Sequence, residues 1–525
     1  MAKLTIDGKQ IEVPDGTRLF DACREARGED LPHFCYHPDL RIAGVCRLCQ
    51  VEVEGMPKLT IACNTFVRDD MVVHTRNERV STAVQQILEM HLINHPVDCP
   101  ICDQAGECGL QDQYMDYGLY ESEVAKGDKV HKEKAQVIGP QVILDKERCV
   151  LCSRCVRFCE DVTGTGELGI YNRGDRAEIG VAPGVELDND YSLNTVDICP
   201  VGALTSRDFR FKKRVWMLRS TPSVCNGCAT GCNIRVDHEA GRIYRLKPRR
   251  NDDVNGPWLC DQGRMTYKDV HAENRLGEAL ARREGSLQPM AWKDAREELL
   301  GALKPGGVAF AIADPSRSLE ELTLFRRLAG RLVGEAQLAG GVAGDGMGKG
   351  DEILMSEDKR PNRKALEWLS LPEMAPADLA GALAGAKGTV LVLAGDPAAH
   401  PEVAAALGKL RVIYLGTRRN ATADLADLVI PLSTWAEKDA LWVNRQGRVQ
   451  RGQRAVAAPG QAREDWRVLA ELLAHAGDDA ELNSLPALRR LVARELGLDD
   501  EDALNRLPAT GLAPDATAAA PTGGE

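Results

Sequence analysis

Apolar and polar positions alternate with period two at the start of the chain. Lys3–Ile6 and Gln10–Val13 flank Asp7-Gly8-Lys9, which predicts a β-hairpin whose turn uses the glycine at positive φ. The period then changes. From Thr17 to Arg27 the apolar residues Leu19, Ala22, Cys23 and Ala26 fall at helical spacing, with Asp15 or Thr17 as the expected N-cap. Between residues 80 and 95, Val80, Val84, Ile87 and Leu88 repeat at helical spacing with His91 on the same side. That helix should deliver His95 at its end, just before Pro96. Short strand-like runs follow at Arg214–Leu218, Ile234–Val236 and Ile243–Leu246. After residue 275, the short apolar strands Val308–Ile312, Val390–Ala394 and Val412–Leu415 alternate with Ala/Leu-rich helical runs. This is the pattern of βαβ units on a parallel sheet. The Ala/Pro/Thr/Gly-rich tail from Leu507 is expected to be disordered.

A chain of 525 residues divides into several domains. The balance of 66 Lys+Arg against 78 Asp+Glu gives a net charge of −12, which argues against nucleic acid or an anionic membrane surface as a bulk partner. No apolar run approaches the roughly 18 residues of a membrane span. The N-terminal MAKLTIDGKQIEVPDG has no apolar core of a secretory signal. The chain is therefore expected in the cytosol, where cysteines serve as metal ligands rather than in disulfides.

The cysteines reorganise the picture. Of 17, none follows Cys260. Fifteen of them, with one histidine, form four sets of four, and only Cys23 and Cys159 remain. The first set, Cys35, Cys46, Cys49 and Cys63, suits a 2Fe–2S cluster, with a four-cysteine zinc site as the alternative. Its first gap is longer than the plant-type ferredoxin spacing. Preceded by a hairpin and a helix, it has the order of a small β-grasp ferredoxin domain. In the second set, His95 stands before Cys99, Cys102 and Cys108, a run that lacks a fourth cysteine. His95 is the expected fourth ligand and His91 its competitor. Imidazole in place of thiolate removes a negative charge and favours the reduced state. The third set begins as the ferredoxin run Cys149, Cys152, Cys155 and Cys159. In two-cluster ferredoxins the fourth cysteine of such a run serves the other cluster, and the second run ends in Cys-Pro. Here only Cys199-Pro200 survives of that second run. Cys199 should complete the set, leaving Cys159, like Cys23, a small buried side chain. The fourth set, Cys225, Cys228, Cys232 and Cys260, reads as a further 4Fe–4S site, with zinc as the alternative.

These motifs, in this order, resemble the large iron–sulfur subunit of bacterial NADH:quinone oxidoreductase, respiratory complex I. The run from Asp424 to Gln450 looks like the molybdopterin-oxidoreductase fold that this large subunit carries without its cofactor. The resemblance implies an α+β then α/β chain. A β-grasp 2Fe–2S domain would occupy 1–79, a histidine-ligated 4Fe–4S domain 80–119, and a ferredoxin-type 4Fe–4S domain 140–212. A molybdopterin-oxidoreductase-type 4Fe–4S domain would follow at 213–272, then a shortened α/β domain at 273–506 and a tail at 507–525. It implies one 2Fe–2S and three 4Fe–4S clusters and no molybdopterin. Electrons would come from the flavin-bearing NADH-oxidising subunit and its small 2Fe–2S partner, and leave toward the quinone-proximal subunits. The implied place is the peripheral arm on the cytoplasmic side of the bacterial inner membrane, with proton translocation coupled by the whole complex. The fourth cluster would lie off the main electron path.

An NAD-linked formate dehydrogenase or an iron-only hydrogenase shares this front end. The first, however, generally needs a later Cys or selenocysteine ligand and a lysine in Cys-x-Lys-Gly, where Gln262 stands here. The second needs several later cysteines. A zinc-stapled scaffold is the non-redox alternative. The Gly-rich 340–350 segment has Gly350 where a phosphate loop needs Ser or Thr after Lys349, and reads as a flexible loop.

Overall fold

The computed structural model describes residues 1–121, 124–304, 306–333, 337–478 and 480–513. It divides into two compact units, Met1–Leu218 and Arg219–Glu525.

In the first unit, β1 (Ala2–Ile6) and β2 (Lys9–Val13) pair antiparallel as the alternation predicts. Asp7 and Gly8 take φ of 49° and 83°, the two left-handed positions a tight hairpin turn requires. Helix α1 (Leu19–Arg27) follows and ends at Gly28 with φ 76°. Neither expected cap serves it: Arg18 is the N-cap position without a side-chain bond. Asp15 instead binds the N-terminal ammonium, and the Thr17 hydroxyl donates to the Pro14 carbonyl. Strands β3 (Gln50–Val53), β4 (Thr60–Ile61) and β5 (Met71–His74) complete a sheet of order β2-β1-β5-β3-β4. The central β1–β5 pair is parallel. This is a β-grasp, with Leu4, Ile6, Leu19, Phe20, Val51 and Val73 in its core.

Helix α2 (Glu78–Leu92) is capped by Asn77, whose side chain accepts from Val80 N–H. Its buried Val80, Val84 and Leu88 join a second core with Phe34, Leu110, Val150 and Val201. Cys35, Cys46, Cys108 and Cys152 sit in that same core, so ligands of three quartets share one packing environment. Helix α3 (Gly109–Tyr117) follows Cys108, α4 (Arg154–Asp161) carries Cys155, and α5 (Asn194–Asp197) precedes Cys199. The expected strand at Arg214–Leu218 is a 3₁₀ turn over Val215–Met217. The strand begins after it, at Arg219.

In the second unit, Arg219–Val224, Asn233–Glu239 and Arg242–Pro248 form an antiparallel sheet. Beyond it lies a seven-stranded sheet. Its centre is parallel, joining Val308–Ile312, Thr389–Leu393, Arg411–Gly416 and Leu428–Pro431. Both faces are covered, so the strands read as continuous apolar runs. Leu391, Leu393, Ile413 and Leu415 face one core, and Val390, Val392, Val412 and Tyr414 the other. The Gly-rich segment is tied down: Gly341–Val342 pairs with Glu373–Met374, and Gly348 N–H donates to the Glu357 carbonyl. The tail expectation fails for its first residues. Leu507 and Leu512 pack on the core, Leu512 bridges Val449, and the Thr510 carbonyl accepts from Asn251 and Arg448. Residues 514–525 lie outside the described residues. No helix among the described residues is long and apolar enough to cross a membrane.

Candidate metal centres

Cys35, Cys46 and Cys49 lie on the loop between α1 and β3, and Cys63 lies in the 3₁₀ turn that follows β4. All four are buried. Cys35 touches Cys46 and Cys63, and Cys63 touches Cys49. Phe34 N–H donates to Cys46 Sγ at 3.4 Å. Four buried cysteines linked by pairwise contacts, with an N–H aimed at Cys46 Sγ, fit a 2Fe–2S group. His91 belongs to these surroundings. Its Nε2 lies 3.1 Å from the Cys46 carbonyl and its ring stands edge-on to Phe34.

His95, Cys99, Cys102 and Cys108 line one cavity of about 360 Å³. The chain turns after α2, with His95 N–H donating to the Leu92 carbonyl. Cys99 opens a short 3₁₀ turn and Cys108 is the N-cap position of α3. His91 is not among the lining residues. Burial, reinforced by the Arg148 and Lys129 cations, pushes His95 down to about 4. Its ring is therefore neutral at physiological pH, the form that ligates metal. Cys99 is exposed, whereas Cys102 and Cys108 are buried.

Cys149, Cys152, Cys155 and Cys199 wall a narrow cavity in the same unit. Leu151 and Ser153, between these cysteines, take positive φ of 51° and 59°, which winds the loop around the site. Leu151 N–H donates to Cys149 Sγ at 3.4 Å. Cys155 lies in the first turn of α4, and Cys199 follows α5. Cys159 does not line this cavity. It is wholly buried, and burial, then the neighbouring Glu167, pushes its thiol up to about 12. Cys23 is buried in the β-grasp core and likewise raised to about 12 by burial.

The second and third quartets meet through backbone. Gly109 N–H, next to Cys108, donates to the carbonyl of Pro200, next to Cys199, at 2.8 Å. A Cβ on Gly202 would stand 2.3 Å from Cys102 Sγ, so only glycine fits there. Sequence reasoning missed these contacts, and also three arginines: Arg148, Arg154 and Arg157. Their one signal is a basic residue inside or beside a cysteine run.

In the second unit, Cys225, Cys228, Cys232 and Cys260 are all buried. Gly227 N–H donates to Cys225 Sγ at 3.4 Å, and Gly263 N–H to Cys260 Sγ at 3.3 Å. A Cβ on Gly263 would lie 3.1 Å from Cys225 Sγ and 3.2 Å from Cys260 Sγ. The glycines thus clear room and supply donors for a thiolate-bound group. Among the described residues, no three His, Cys, Asp or Glu side chains converge as the ligands of one ion would.

Matches to known families follow this layout. A 2Fe-2S iron-sulfur cluster binding domain matches residues 1–78, and the NADH-ubiquinone oxidoreductase-G iron-sulfur binding region matches 85–123. The ferredoxin-like domain of NADH-quinone oxidoreductase subunit 3 matches 139–205. The molybdopterin oxidoreductase Fe4S4 domain matches 218–272, and molybdopterin oxidoreductase matches 377–475. The mitochondrial NADH-ubiquinone oxidoreductase 78 kDa subunit of Neurospora crassa is 30% identical over 613 residues, covering 93% of this chain and 82% of that protein. The chain belongs to this NADH–quinone oxidoreductase subunit family. The NADH-quinone oxidoreductase G subunit of Rickettsia bellii is 40% identical over 62% of this chain and 48% of its own length. For the Streptomyces coelicolor counterpart the values are 43%, 56% and 35%. The chain thus spans about half the length, or less, of these bacterial members of the family.

The second unit has a polar cavity of about 620 Å³ at the carboxyl ends of the parallel strands, reached by Asp396, Arg418 and Gln262. No cysteine lines it. Gln262 stands where a Cys-x-Lys-Gly lysine would, and accepts from Lys359 Nζ at 3.2 Å. These residues do not fit a molybdenum cofactor held by a protein thiolate.

Proposed function

We propose that the chain is the iron–sulfur electron-relay subunit of an NADH:quinone oxidoreductase. In this reading Cys35, Cys46, Cys49 and Cys63 hold a 2Fe–2S cluster. His95, Cys99, Cys102 and Cys108 hold one 4Fe–4S cluster, Cys149, Cys152, Cys155 and Cys199 a second, and Cys225, Cys228, Cys232 and Cys260 a third. The bound clusters supply one-electron transfer. The chain's part is to fix their places and tune them through ligand charge, N–H···S bonds and burial. It needs no nucleophile and no proton donor.

The observation that carries the reading is the shared packing of three quartets within one unit, with a direct Gly109 N–H to Pro200 carbonyl bond between the second and third. A scaffold would not need its metal sites to be neighbours; a relay does. The proposed sequence of sites is first, third, then second. The giving partner is a flavin-bearing NADH-oxidising subunit with its small 2Fe–2S companion. The receiving partners are quinone-proximal subunits of a peripheral arm, on the cytoplasmic side of a bacterial inner membrane.

The test is metal quantification with EPR on the dithionite-reduced protein. The expected result is about 14 iron atoms per chain, one 2Fe–2S and three 4Fe–4S signals, and no molybdenum. Zinc in place of iron, or stoichiometric molybdenum, overturns it.

A further inference from the structure

Arg157 is 5% exposed and lies on α4, between the cysteines of the third run. One of its terminal nitrogens donates to two carbonyls, that of Cys35 at 2.6 Å and that of Cys152 at 3.3 Å. The first carbonyl belongs to the first quartet and the second to the third. The other terminal nitrogen donates to the Arg41 carbonyl, and Nε to Ser153 Oγ at 3.3 Å. Every partner is neutral. Among the described residues no carboxylate forms an ion pair with Arg157. Asp161, whose charge acts on it weakly, is paired with Arg41 at 3.0 Å. One turn earlier, Arg154 donates to the Ile198 carbonyl at 3.1 Å and the Tyr36 carbonyl at 2.5 Å. These residues adjoin Cys199 and Cys35, so a second arginine of the same helix spans the same two quartets.

A guanidinium stays charged under all ordinary conditions, and a buried charge without a counter-charge is strongly destabilising. Here the missing counter-charge is supplied by the sites themselves. Each site, once four thiolates hold its irons, is an anion. We propose that Arg157 is a positioning and tuning residue shared by the 2Fe–2S site and the ferredoxin-type 4Fe–4S site, fixing their spacing and raising the reduction potential of both. The inference rests on the electron-relay reading above. Because one nitrogen serves both quartets, moving an electron from one site to the other leaves the same total negative charge around Arg157. One site is oxidised as the other is reduced, and no proton moves. Arg157 therefore shifts the two potentials together and leaves their difference nearly unchanged.

The test uses the assembled complex carrying Arg157→Gln or Arg157→Lys. EPR redox titration reads the 2Fe–2S and ferredoxin-type signals, with the His95-side signal as internal reference. For Arg157→Gln we expect both midpoints to fall by about tenfold in the reduction equilibrium, about 59 mV for one electron, while the reference stays put. Arg157→Lys keeps the charge and should recover more than half of the shift. Loss of iron from both sites in Arg157→Gln, with retention in Arg157→Lys, is the same result in stronger form. Midpoints that move less than twofold, or a shift confined to one site, overturn the proposal. So does loss of both clusters in both variants, which makes Arg157 a folding residue only. If the unaltered complex lacks these signals altogether, the relay reading itself fails; normal signals with unmoved midpoints in Arg157→Gln sink only this inference.

Discussion

His95 shows how much one side chain decides. It is held neutral by burial and by the Arg148 and Lys129 cations, which keep a proton off the ring down to about pH 4. As the proposed fourth ligand, a neutral imidazole leaves its site one negative charge short of an all-thiolate set. His95→Cys should keep a 4Fe–4S signal and lower its midpoint, on the order of a tenfold change in the reduction equilibrium, or about 59 mV. His95→Ala should lose the signal. Redox titration followed by EPR checks both, and an unchanged signal in His95→Ala would return the choice to His91. That choice was open in the sequence, since His91 lies on, and His95 ends, the same expected helical stretch. It is the bond from His91 to the Cys46 carbonyl, a contact 45 residues away in sequence, that separates their surroundings. No local pattern reports such a contact.

At the scale of elements, the third quartet asks which segment brings the last ligand. Helix α4 carries both Cys155 and Cys159, one turn apart, but only Cys155 lines the cavity. Cys199 reaches it from the turn after α5. Cys159→Ser should therefore cost about 1 kcal/mol as a packing and polarity change and retain the ferredoxin-type EPR signal and NADH-to-quinone electron transfer. Cys199→Ser should abolish or severely disturb both. The opposite pattern would move the ligand to Cys159. The elements themselves were largely legible. The hairpin, α2 and the parallel strands announce themselves by period, because burial on one face or two writes apolar spacing into the chain. The cap of α1 and the strand placed at Arg214 were misread for a common reason. Thr17 and Asp15 bind other backbone and terminal groups, and Val215–Met217, though apolar, turns over the Gly106 loop, where a Cβ would meet Trp216 at 2.8 Å.

At the scale of the whole molecule, the second unit holds a feature invisible to composition. Lys438, 1% exposed, lies 2.5 Å from Glu321 and 3.3 Å from Asp465, and Arg317 pairs with Asp465 at 2.8 Å. Burial opposes ionisation of Asp465, yet Lys438 and Arg317 hold its pKa below the ordinary carboxylate value. Glu321 also caps the helix Leu319–Leu332 through Ser318, so the network ties a helix end to residues far along the chain. Lys438→Met would leave two buried carboxylates short of a cation and should destabilise this unit by about 3–5 kcal/mol, read as a lowered unfolding midpoint of the full chain. In sequence, Lys438 sits in Trp-Ala-Glu-Lys-Asp-Ala and reads as surface. The proposed quartets, by contrast, can be read from sequence because cysteine is scarce and its spacing is chemistry, whereas the arginines between them are common residues made special only by the fold. Cys99 gives the last consequence. It is the one cysteine among the described residues that is exposed. An exposed cysteine sulfur is where peroxide and oxygen begin the climb to sulfenic and sulfinic acid. Among the described cysteines, oxidation in air is therefore expected to begin at Cys99, since the others are buried or half-buried.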